Sequence, residues 1–125
     1  MTPDLSGAID HVHVYVTSRV AAADWYRDKL GFKVMEEFAF WATPEGGPLT
    51  IANASNTIHF ALFRSVKPKP VSLAFGASRQ EYVAWKAHLA TVDISLRQSD
   101  HGLCHSMYFN DPFGNELEIT TYEVG

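Results

Sequence analysis

From Ile9 to Val16 the side chains alternate between two sets. His11, His13 and Tyr15 fall on one face, and Val12, Val14 and Val16 on the other, the period-two signature of a strand with one apolar side. Ser18 then offers an N-cap, Trp25, Tyr26 and Leu30 recur at helical spacing, and Gly31 stands where a left-handed residue ends a helix, so a helix is predicted over about 19–30. Three strands are expected next, at Phe32 to Ala42, Leu49 to Ala52 and Thr57 to Phe63. They are rich in aromatic and β-branched residues and are separated by Pro44 to Pro48 and by Asn53 to Asn56.

The segment 64–70 is polar and stiffened by Pro68 and Pro70, which makes it the linker. Beyond it the pattern restarts. Val71 to Phe75 reads as a strand, and Ser78 with Glu81 three residues on forms a capping box. Tyr82, Trp85 and Leu89 give the helix that follows its apolar face. Strands at Ile94 to Gln98, Met107 to Asn110 and Leu117 to Tyr122 complete a second half. Trp25 falls on Trp85, and His11 near Ser72, at an offset of about sixty residues. The expected fold is α+β: one domain over 1–125 made of two tandem βαβββ modules, at about 8–63 and 71–123, with helices on the backs of curved mixed sheets that form a cup.

Composition narrows the function. At 125 residues, 46% hydrophobic and 13% aromatic, the chain has material for one ordinary domain core. A net charge of −4 with no basic run gives no field for a phosphate backbone, so nucleic acid is not an expected partner. One cysteine, Cys104, makes no internal disulfide and is read as a small apolar residue. No apolar stretch approaches the roughly 20 residues that span a bilayer, and the N-terminal residues lack a secretory pattern. A cytoplasmic location without a membrane partner is the expectation.

Chemistry-bearing residues gather on a few strands. Glu116, Glu118, Thr120 and Tyr122 share one face of the last strand, and either glutamate is placed to face a cavity. His59 shares a face with Thr57, Ala61 and Phe63. His101, His105 and Tyr108 precede the Asp111–Gly114 turn, and histidine moves protons near neutral pH. His88, on the second helix, is read as a solvated side chain. Phe38, Phe40, Trp41, Phe63 and Phe113 are expected mainly as core, with the lining of an apolar pocket as the alternative. Trp25 and Trp85 are assigned to helix-to-sheet packing.

Three blocks, IDHVHVYV with DWYRDKLGF, the restart VSLAF before a helix, and YFNDPFGNELEI, resemble the vicinal-oxygen-chelate superfamily of glyoxalases, bleomycin-resistance proteins and extradiol dioxygenases. The resemblance covers nearly the whole chain. It implies that Glu118, seven residues after Asp111, and His11 rather than His13 are metal ligands. His59 falls where glyoxalases carry a first-half glutamate ligand. The implied site is therefore His11, His59 and Glu118 around Fe, Mn, Zn or Ni, open to two adjacent substrate oxygens. Tyr108, His13 and His105 would assist proton movement. The implied activity is that of a metal-dependent lyase, isomerase or ring-cleaving dioxygenase acting on a small molecule with vicinal oxygens. Ser72 stands where metal-dependent relatives carry a further histidine, which keeps open the alternative of a metal-free binding protein of the bleomycin-resistance type. Short members of the family pair as symmetric dimers, so a homodimer is expected.

Overall fold

The computed structural model describes all of residues 1–125, which divide into two compact units, Met1–Pro68 and Lys69–Gly125. Each unit builds one four-stranded sheet. The first contains β1 (Val12–Val16), helix α1 (Arg19–Leu30), β2 (Lys33–Val34), a 3-10 helix (Glu36–Trp41), β3 (Leu49–Ala52) and β4 (His59–Arg64). The second contains β5 (Ser72–Gly76), helix α2 (Arg79–Thr91), β6 (Arg97–Asp100), β7 (His105–Asn110) and β8 (Glu116–Thr121). The strand orders β1-β4-β3-β2 and β5-β8-β7-β6 are the same arrangement twice, with the first and last strands of each unit parallel and the other pairs antiparallel. Two βαβββ modules are thus present. No helix is long and apolar enough to cross a membrane.

In the first unit the alternation of β1 is realised as expected. Val14 and Val16 are fully buried, while His11, His13 and Tyr15 are exposed. Parallel pairing of Val12 with Phe60 and Val14 with Leu62 aligns the apolar faces of β1 and β4. Tyr26 of α1 closes this core, with ring centroids 5.6 Å from both Phe32 and Phe60. Ser18 accepts the Ala21 amide at the start of α1, and Gly31 at φ 77° ends the helix. Trp25 is half-buried, so Tyr26 beside it carries the helix-to-sheet packing.

The strand expected over Phe32 to Ala42 is not formed. Only Lys33–Val34 pairs, and the chain turns into the 3-10 helix at Glu36. Side chains three apart eclipse in such a helix, and Phe38 stacks on Trp41 with centroids 4.7 Å apart and planes 2° from parallel. Aromatic content had argued for a strand, yet here it is satisfied by a local stack. The loop after it is held by Arg19, whose guanidinium donates to the carbonyls of Thr43, Gly46 and Gly47 at 2.7 to 3.0 Å. Gly47 has φ 82°, and a Cβ there would overlap the Trp41 carbonyl oxygen, so this close return of the chain requires glycine.

In the second unit the Ser78–Glu81 capping box forms: the Glu81 amide donates to the Ser78 hydroxyl at 3.1 Å, and the Ser78 amide donates to the Glu81 carboxylate at 2.9 Å. Tyr82 and Leu89 are the buried residues of α2, and Trp85 is half-buried with its ring 5.3 Å from His88. The strand expected at Ile94 to Gln98 begins later, at Arg97. The Ile94 amide donates to the Leu89 carbonyl at 3.0 Å and Asp93 adopts φ 60°, so these residues finish the helix instead. The turn from Asp111 is a buried clamp. One Asp111 carboxylate oxygen accepts the amides of Phe113 (2.8 Å) and Asn115 (3.0 Å), and the other accepts the Asn115 side-chain amide (2.7 Å). Asn115 in turn accepts the Val71 amide at 2.9 Å, tying the turn to the start of β5. Gly114, at φ 88°, makes the reversal possible.

Candidate functional site

The exposed face of the first sheet carries a pocket of about 150 Å³ lined by Asp10, His11, His13, Met35, Phe38, Trp41, Pro48, Thr50, His59, Ala61 and Phe63. Register explains the grouping. Thr50, Ala61 and His13 lie side by side on β3, β4 and β1, and Phe63 is beside Tyr15. The His13 ring rests 4.8 Å from that of Phe63. Phe38 and Trp41 therefore line a cavity and are not core, and Phe40 is 70% exposed. The reason is the 3-10 helix, which places the two rings on the sheet's uncovered side.

The histidines of this pocket are held by specific partners. Asp10 Oδ2 lies 2.8 Å from His11 Nδ1, and His11 Nε2 lies 3.1 Å from His13 Nε2. A carboxylate only accepts, so His11 Nδ1 is the donor; the neutral ring then has its lone pair at Nε2, and His13 donates to it. His59 Nδ1 donates to the Asp10 carbonyl at 3.1 Å, and its Nε2 stands 2.8 Å from the Asn56 side-chain oxygen. Asn56 is delivered by the β3–β4 turn, where it adopts φ 59° and Asn53 accepts the amides of Thr57 and Ile58.

In the second unit Glu118 pairs in register with Tyr108 and Ala74. Its carboxylate accepts the Thr120 hydroxyl at 2.6 Å, and since that hydroxyl's one proton is spent, Ser106 donates to Thr120 at 3.0 Å. Tyr108 OH and His101 Nε2 are 2.9 Å apart. Glu116 is drawn aside into an ion pair with Arg97 at 3.2 Å. His105 lies on the other face, against α2: Arg79 Nη1 is 3.1 Å from its Nδ1 and Asp100 3.5 Å from its Nε2. The structure thus puts Tyr108 and His101 with Glu118, and separates His105 from them.

The sequence matches the family model of the Glyoxalase/Bleomycin resistance protein/Dioxygenase superfamily over residues 8–119. The chain belongs to this superfamily. Solved structures with the same fold include a lactoylglutathione lyase from Agrobacterium tumefaciens (19% identity, TM-score 0.75, covering 97% of this chain and 98% of that one). Others are TnmS3, an antibiotic binding protein from Streptomyces sp. CB03234 (17%, 0.71, 94% and 98%), and the oxidase ChaP-H2 (19%, 0.68, 94% and 94%). No curated protein matches. At these identities the likeness is one of fold, and the superfamily spans lyases, oxidases and binding proteins.

No three histidine, cysteine or acidic side chains converge as a metal site within either module. His59 and His11 each have both ring nitrogens hydrogen-bonded within the protein, and His13 Nε2 is bonded to His11. His11 and His59 belong to the first unit and Glu118 to the second, so neither module by itself holds all three. Two residues were missed by reading the sequence: Asp10, which orients His11, and Asn56, which occupies His59. Asp10 had a local signal, since a carboxylate beside a strand histidine often fixes its tautomer. Asn56 had none, because its contact depends on how a turn folds back.

Proposed function

We propose that the protein binds a small aromatic molecule in the pocket of its first module. The observation that carries this reading is the parallel-stacked Phe38–Trp41 pair lining the same cavity as three histidines, with Trp41 still 46% exposed and available to a ligand ring. Aromatic faces favour offset stacking, and the imidazoles supply donors and acceptors for oxygen substituents. Size restricts the guest: an apolar cavity of about 150 Å³ holds a benzene-sized group, so one ring enters the pocket. The closing test is tryptophan fluorescence titration with catechol, phenol and naphthalene-2,3-diol in the presence of chelator. Trp41→Ala should weaken binding at least tenfold while Trp85→Phe leaves it unchanged; equal affinity in wild type and Trp41→Ala would sink the reading.

A second reading is metal-assisted lyase, isomerase or oxygenase chemistry on a molecule with adjacent oxygens, as the names of the structural relatives suggest. The three histidines that line the pocket favour it. Under either reading we propose a homodimer as the working assembly, to be checked by light scattering at micromolar concentration.

A further inference from the structure

The second module carries a cavity of its own, about 380 Å³, between α2 and the β6–β7 pair. One wall is a single face of α2, since Arg79, Tyr82, Val83 and Lys86 stand at positions i, i+3, i+4 and i+7 of the helix. The other wall comes from the strands, where Gln98 pairs in register with Met107 and Asp100 with His105. Arg79 and Lys86 thus bring two positive charges together in a chain whose net charge is −4. Neither is spent on a salt bridge. Asp100, the carboxylate of the cavity, is engaged elsewhere: it accepts the Gly102 amide at 2.8 Å and lies 3.5 Å from His105 Nε2.

We propose that this cavity binds a small phosphate monoester with a hydroxylated body. Arg79 is already oriented for the task. Its guanidinium carbon lies 5.8 Å from the centroid of the Tyr82 ring, and Nη1 donates to His105 Nδ1 at 3.1 Å. Arginine has no acceptor, so His105 Nδ1 accepts and its proton sits on Nε2, toward Asp100. One donor of the guanidinium fork is used in this way, and the others are left for phosphate oxygens. The end of the helix is not the anchor, because the Arg79 and Glu81 amides already donate to Glu123 and Ser78. Lys86 stands two helical turns on, about 10.5 Å along the axis, a span that two long side chains can close on one group. Two cations match the charge of about −1.5 to −2 of a phosphate monoester near neutral pH, whereas a carboxylate would neutralise only one. The cavity exceeds what a bare ion fills and lies within the roughly 300–1,000 Å³ of small-molecule sites. Gln98 on the opposite wall supplies an amide donor and acceptor for hydroxyl groups of the body.

The experiment is an NMR titration of the 15N-labelled full chain with glycerol 3-phosphate, glycerate, glycerol and inorganic phosphate, in wild type and in Arg79→Gln, Lys86→Gln and Lys33→Gln. All three substituted side chains are exposed, and the dispersion of each amide spectrum confirms that the variant is folded. Glycerol 3-phosphate should give saturable shifts at the amides of Arg79 to Lys86, Gln98 to Asp100 and His105, and glycerol none. Arg79→Gln and Lys86→Gln should each weaken binding at least fivefold, while Lys33→Gln, in the first module, stays within twofold of wild type. Glycerate and inorganic phosphate should each bind at least threefold more weakly than glycerol 3-phosphate. Glycerate binding as tightly would overturn the phosphate head, and inorganic phosphate binding as tightly would overturn the hydroxylated body. Shifts that do not saturate, that map to another surface, or that Lys33→Gln weakens as much as Arg79→Gln would overturn the site itself. The amides that report here belong to the second module, so the outcome is independent of ring binding beside Trp41.

Discussion

At the scale of single residues, the tightest constraint is Asp111, a nearly buried carboxylate that accepts three hydrogen bonds within the turn. Hydrogen bonds to a charged group contribute about 1.5–3 kcal/mol, and orphaned buried donors cost about 1–3 kcal/mol each. Asp111→Ala should therefore lose about 3 kcal/mol in urea unfolding. Asp111→Asn should recover little, because its amide donor would meet the Asn115 amide donor. An unfolding midpoint for Asp111→Ala equal to that of wild type would contradict the clamp. This residue also illustrates how sequence motifs mix roles: the turn that carries the family resemblance is held by an aspartate that is structural, while Glu118, seven residues on, keeps its carboxylate partly exposed and ordered by Thr120.

At the scale of elements, local codes decided the helices. Ser18, Gly31, Ser78 and Glu81 each perform the capping role that their types and spacings predicted. Glu81 has a titration consequence. The Ser78 backbone amide, and after it the Ser78 side chain, hold the Glu81 carboxyl below its ordinary value. A depressed carboxyl stabilises the folded state above its unfolded value and loses that contribution as pH falls through the folded value. The N-terminal turn of α2 should accordingly fray as pH drops below the ordinary glutamate range. Hydrogen exchange of the first α2 amides, compared with Glu81→Gln, reads this out: the wild-type advantage should shrink on acidification, and an advantage constant with pH would remove the capping box as its source. Strands behaved differently. β1 was legible from alternation, whereas the strand expected over Phe32 to Ala42 became a two-residue strand and a 3-10 helix, and β6 began three residues late because α2's terminus claimed Ile94.

At the scale of the whole molecule, a ligand that binds only the folded protein raises its stability by mass action, about 2.7 kcal/mol at a hundred times its Kd. A catechol-type ligand should thus raise the melting temperature of wild type, and at the same concentration raise that of Trp41→Ala much less; equal shifts would place binding outside the pocket. The repeated βαβββ plan was readable from the sequence because each half repeats its own short-range codes: alternation, helical spacing, caps and glycine turns. The strand histidines and Glu118 were readable as candidates for the same reason, since strand faces follow from period two. What they touch was not. That Asp10 holds His59, that His105 sits against α2, and that Phe38 and Trp41 line a pocket all depend on register and on chain segments folding back from far along the sequence. By itself the sequence determined the faces and the modules, because those arise from neighbouring residues. Only the tertiary structure decided the partners, because a side chain's hydrogen-bonding choice is made in space, among groups the chain order keeps apart.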